Sequence, residues 1–98
     1  MTTTEQNAAK QKRFAQYLST LPATQREGLL AKMPEILAEK MRRAVREVIA
    51  KRVAGWPSAM KRRWLESLRR ENLHEYQLTF QLVAAFEAIE QRAAKGVA

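Results

Sequence analysis

Residues 35–72 read EILAEKMRRAVREVIAKRVAGWPSAMKRRWLESLRREN, and the fold follows from how this stretch is divided. Most positions are Ala, Leu, Met, Glu, Lys or Arg, which lose little freedom on entering a helix. Ile36, Leu37, Met41, Ala44, Val45, Val48 and Ile49 fall on one broad face at ~100° per residue. They predict a core-facing helix from about Glu35 to Ala54. Gly55-Trp56-Pro57 then interrupts the pattern, since proline cannot continue a helix and glycine suits a helix C-terminus. A second helix is predicted from about Ser58 to Glu71, with Met60, Trp64, Leu65 and Leu68 as its apolar stripe.

The same punctuation extends the reading in both directions. Upstream, Thr2, Thr3 and Thr4 can cap a first helix reaching about Leu21, with Phe14, Tyr17, Leu18 and Leu21 on its buried face. Pro22 stops it. Thr24 with Glu27 has the spacing of a capping box for a short helix through Gly28, Leu29, Leu30 and Met33, and Pro34 suits the start of the next. Downstream, Asn72 with Glu75 is another capping pattern, opening a last helix that ends near Gly96. The expected fold class is all-α, a compact bundle of about five helices in a single domain over 1–98, with frayed ends at 1–4 and 96–98. A shift of 35 residues sets Leu21-Pro22 on Trp56-Pro57, Leu29-Leu30 on Trp64-Leu65 and Val48 on Val83. The chain can thus be read as two successive helical hairpins after an N-terminal helix, although any two amphipathic helix pairs of similar length align this well.

Composition narrows the functional classes. The chain has 98 residues, 18 Lys plus Arg against 10 acidic residues, a net charge of +8 and no Cys. All ten acids are Glu. Without Cys there is no disulfide framework, thiolate metal site or thiol nucleophile, which fits a reducing compartment. One His and no Asp leave no ordinary zinc or calcium ligand set, so no metal or cofactor is expected. The longest apolar run, Leu82 to Phe86, is far short of the ~20 residues that span a bilayer. Residues 1–13 lack the apolar segment of a secretory signal, and a cytoplasmic location is expected. His74 has no Ser, Cys or Asp partner in any motif, and no Gly-rich phosphate loop or nucleophile elbow is present. The expectation is a binding protein, not an enzyme.

The positive charge is local. Residues 1–39 carry five basic and four acidic side chains (+1), residues 40–70 eleven and two (+9), and residues 71–98 two and four (−2). In the helix from Glu35 to Ala54, Glu39, Arg43, Glu47 and Lys51 are spaced four apart, a ladder that stabilises the helix by a few tenths of a kcal/mol per pair. It leaves Lys40, Arg42, Arg46 and Arg52 as the surplus there. In the next helix Lys61, Arg62 and Arg63 occupy the first turns, where the macrodipole disfavours cations by roughly 0.3–1 kcal/mol each. Arg62, Arg63, Arg69 and Arg70 surround a single Glu66 on its outer face, a net of +3.

Cations beside unsatisfied helix N–H groups favour phosphate. The leading expectation is therefore a nucleic-acid-binding accessory or regulatory protein, for DNA or RNA, contacting phosphates through Arg42, Arg43, Arg46, Lys61, Arg62, Arg63, Arg69 and Arg70. Trp56, at a turn, is the candidate for an exposed aromatic that stacks on bases. Little base readout is expected, since the face offers no Asn or Gln to read adenine edges. Two other partners fit the charge. One is an acidic protein surface, met by an inhibitor or adaptor, and the other, ranked last, is an anionic membrane surface.

The last helix has two apolar faces. Leu73, Tyr76, Phe80, Val83 and Ala84 form one, and Leu78, Leu82, Phe86, Ile89 and Ala93 nearly the opposite one. One face can close the core, and the other needs cover. A homodimer interface at Leu78, Leu82, Phe86 and Ile89 is one expectation, and burial of the whole helix within the monomer is the other.

Overall fold

In the computed structural model, residues 3–97 are described, with side chains over 6–94. The chain is all-α. Five helices follow in order: α1 (Thr3–Leu18), α2 (Ala23–Leu30), α3 (Glu35–Ala54), α4 (Ser58–Glu71) and α5 (Leu73–Val97). No strand occurs among the described residues, and no helix among them is long and apolar enough to cross a membrane. Of the ends expected to fray, 3–4 and 96–97 are helical, as parts of α1 and α5, while residues 1, 2 and 98, and with them the cap expected from Thr2, lie outside the described residues. Two compact units are distinguished, Met1–Val48 and Ile49–Ala98.

Proline ends two of the turns, and it sets them alike. Pro22 precedes α2 with φ −57° and ψ 148°, and Pro57 precedes α4 with φ −56° and ψ 146°. The N–H groups of Leu21 and Trp56 bond back to the carbonyls of Leu18 (3.1 Å) and Val53 (3.0 Å). Those of Arg26 and Lys61 bond to Pro22 and Pro57, each at 3.0 Å. Each bonded pair is matched at an offset of 35 residues. The likeness belongs to the turns, because α2 stops at Leu30 after 8 residues whereas α4 runs for 14.

In the first unit the buried side chains are Ala15, Leu18 and Ser19 near the end of α1, Leu30 of α2, and Ala38, Met41 and Val45 of α3. This corrects the expected face of α1. Tyr17 is 54% exposed and stacks on half-buried Phe14 at 6.2 Å. The helix also ends three residues early, at Leu18. The Ser19 hydroxyl donates to the Gln16 carbonyl and the Thr20 hydroxyl to the Tyr17 carbonyl, both at 2.6 Å, so side chains bond back to carbonyls of the last turn, and the Tyr17 carbonyl also accepts the Thr20 N–H at 3.0 Å. The capping box at Thr24 does not form. Thr24 lies inside α2, no side chain caps that helix, and Glu27 reaches Arg42 instead. On α3 the expected core residue Ile36 is 76% exposed, and the buried line is Ala38, Met41 and Val45.

The second unit is built around the pairing of α4 with α5. Ala50, Val53 and Ala54 of α3 and Val83 of α5 form its buried cluster, and Ile49, Trp56, Trp64, Leu82 and Phe86 pack against it. Full burial of a side chain such as Val53 contributes roughly 1.5–3 kcal/mol. Asn72 links α4 and α5 by itself. Its N–H bonds to the Leu68 carbonyl at 2.8 Å, ending α4, while its side-chain oxygen accepts from the Glu75 N–H at 3.1 Å, opening α5. The backbone there is extended, φ −155° and ψ 93°.

α5 buries neither apolar face whole. Leu82 and Phe86, expected at a dimer interface, pack on the cluster of their own chain, and Leu78 is half-buried. Ile89 stays 59% exposed. On the face expected to close the core, Val83 is buried but Leu73 and Phe80 are 57% and 48% exposed. The burial runs between the two faces, through Thr79 and Val83, with Leu82 and Phe86 packed beside them.

Candidate functional site

The basic residues singled out by sequence divide into those held by acidic partners and those left to solvent. Arg42 belongs to the first group. Its guanidinium lies 3.1 Å from Glu27 of α2 and 3.5 Å from Glu39 one turn back, and the hydrogen bond to Glu27 raises its pKa further. Glu39 thus pairs with Arg42 in place of Arg43, and the expected ladder does not start. Arg43 is exposed, whereas Arg46 is half-buried and carries an interaction within the chain.

Lys61 also leaves the candidate set. Its ammonium lies 2.6 Å from the Glu87 carboxylate of α5, and its side chain is only 18% exposed. A cation in the first turn of α4 opposes the helix macrodipole, and Glu87 supplies the compensating charge from the neighbouring helix. No acid occurs in that first turn itself, and no side chain caps it.

Arg62 and Arg63, one and two positions on, are exposed. Among the described residues neither takes an acidic partner. Further along α4, Arg69 and Arg70 converge on one carboxylate oxygen of Glu66, at 3.2 and 3.6 Å. Both stay open, at 54% and 78% side-chain exposure, against 43% for Glu66. An exposed pair of this kind contributes about 0–1 kcal/mol and leaves its cations able to meet a second anion. A shallow depression on this outer face is lined by Arg62, Arg63, Glu66, Ser67, Arg70 and Glu71.

Trp56 is not the exposed aromatic that its turn position suggested. It is half-buried, packs on the cluster around Val53 and Val83, and meets Trp64 edge-to-face at 6.1 Å and 85°. The exposed aromatic side chain of this unit is Phe80 of α5, next to half-buried Tyr76. Tyr76 and Phe80 sit 5.7 Å apart and line a groove between α4 and α5 with Leu65 and Val83. The apolar spacing in the sequence detected both residues but assigned them to the core.

His74 is exposed. Among the described residues no three of His, Cys, Asp or Glu are grouped as a metal site would need. The fold and the site together define a small all-α protein with one arginine-rich helix face. The chain matches no protein-family model, no curated protein and no solved structure.

Proposed function

We propose that this protein binds nucleic acid through the outer face of α4, as an accessory or regulatory factor that contacts backbone phosphates with little base readout. The observation that supports this most is the pair Arg62 and Arg63, exposed and without acidic partners beside an uncapped, acid-free helix start. In a protein shaped by stability alone that turn favours Glu. Arg69 and Arg70 extend the face by two turns and share Glu66, which keeps the strip net positive. Guanidinium groups suit the fork geometry of phosphate oxygens.

Gel-shift titrations over RNA, single-stranded DNA and duplex DNA at low salt test the reading. Wild-type protein is expected to shift at least one polymer, and Arg62→Glu/Arg69→Glu to lose that binding while keeping its helical content. Equal binding by the double variant removes this face from consideration. No shift with any polymer turns the basic face toward the alternative, an acidic protein partner.

A further inference from the structure

We infer that the groove between α4 and α5 receives an unstacked base of a single-stranded nucleic acid whose phosphates lie along the arginine face. The inference rests on the reading of that face given above and names its substrate class. The groove has a volume of about 390 Å³, within the span of roughly 300–1,000 Å³ usual for small-ligand sites. Leu65 of α4 and Tyr76, Phe80 and Val83 of α5 give it apolar walls. Phe80 leaves 48% of its surface open, in the first third of a helix whose neighbouring Thr79 and Val83 are both buried. An aromatic face held open in a groove by rigid flanking positions is a stacking platform.

The margin of the groove decides the occupant. Arg62 and Glu66 line both the groove and the arginine depression beside it. Aromatic walls and guanidinium groups therefore form one continuous surface within a single unit, with Arg62 at the junction. A single strand presents the same alternation, a charged phosphate followed by a flat, largely apolar base. Bases inside a duplex stay stacked on one another and reach such a groove only by flipping out at a cost of a few kcal/mol. An acidic peptide would satisfy the arginines, but a planar ring is not built into each of its charged units as it is in a nucleotide. The carboxylate of Glu66 and the hydroxyl of Ser58 at the groove margin are an acceptor and a donor suited to a base edge.

Fluorescence anisotropy on the full chain tests this with four probes of equal length: oligo(dT), oligo(U), an abasic single strand and a duplex. Oligo(dT) or oligo(U), or both, are expected to bind about tenfold tighter than the abasic strand, and their ratio identifies the sugar preferred. Phe80→Leu keeps the apolar bulk and removes the aromatic face. It is expected to lose about tenfold on the base-bearing single strands and nothing on the abasic strand or duplex. Phe80→Tyr is expected to retain wild-type affinity, which separates stacking from any loss of folding. If Phe80→Leu binds oligo(dT) and oligo(U) as wild type does, or the abasic strand binds as tightly as they do, the groove is not a base site. The arginine reading survives that result provided Arg62→Glu/Arg69→Glu weakens all probes. If wild-type protein binds none of the four at low salt, both readings fall.

Discussion

The Lys61 ammonium lies 2.6 Å from the Glu87 carboxylate, joining the first turn of α4 to the middle of α5. Half-shielded from solvent, this pair removes from the surface a cation that sequence alone placed there. It also offsets a charge set against the macrodipole of α4. Glu87→Gln is expected to lower stability by about 0.5–1.5 kcal/mol, seen as a lower denaturant midpoint with an unchanged slope. The same substitution should leave nucleic-acid affinity nearly unaltered. A large affinity loss in Glu87→Gln with intact stability would mean that Glu87 acts in binding.

Leu18 and Ile36 make opposite predictions that the apolar pattern does not distinguish. Leu18 is fully buried whereas Ile36 is 76% exposed. Leu18→Ala should cost about 2–5 kcal/mol, and Ile36→Ser should stay within about 0.5 kcal/mol of wild type. Urea titrations of both variants check this, and comparable losses would place Ile36 in a core.

Asn72 closes one helix and opens the next, so its side chain cannot be removed cheaply. Asn72→Ala leaves the Glu75 N–H without its 3.1 Å acceptor and should cost about 0.5–2 kcal/mol. Asn72→Asp retains an acceptor and should cost less. Hydrogen exchange at the start of α5 is the direct measurement, with faster exchange expected in the alanine variant alone.

Gly28 sits inside α2 with open space where a Cβ would project, and its φ is not positive. Gly28→Ala is therefore expected to stabilise the protein by about 0.4–1 kcal/mol, through the lower entropy of the unfolded chain and the better helix propensity of alanine. A destabilised variant would contradict the helical conformation of this position.

What the sequence showed well was chemistry carried by the backbone at single positions. Pro57 and Asn72 place the ends of α3, α4 and α5 within a residue or two, because a missing N–H or a capping carbonyl acts locally. The end of α1 was misplaced where Ser19 and Thr20 compete for helix carbonyls, a contest that apolar spacing does not register. The buried faces were read from large side chains, but alanines at 15, 38 and 50 are among the most buried positions. Small residues on a helix allow close approach, so the buried line can run along them while Ile36 and Tyr17 stay open. The two apolar faces of α5 pose the same difficulty, since periodicity finds both and only packing selects Thr79 and Val83. The candidate site was half legible. Arg62 and Arg63 were found by their charge against helix electrostatics and Arg69 and Arg70 by their grouping with them around a single Glu66, whereas the partners of Arg42 and Lys61 lie 15 and 26 residues away in sequence.

The central claim is that α4 arginines contact phosphates, and the salt dependence of binding measures this most directly. For four contacts the slope of log affinity against log salt should be about −3.6 on duplex DNA or about −2.8 on single strands. Arg62→Glu/Arg69→Glu should reduce its magnitude by at least about 1.4 to 1.8, two contacts' worth. A wild-type slope near zero, or the same slope in wild type and variant, would contradict the account.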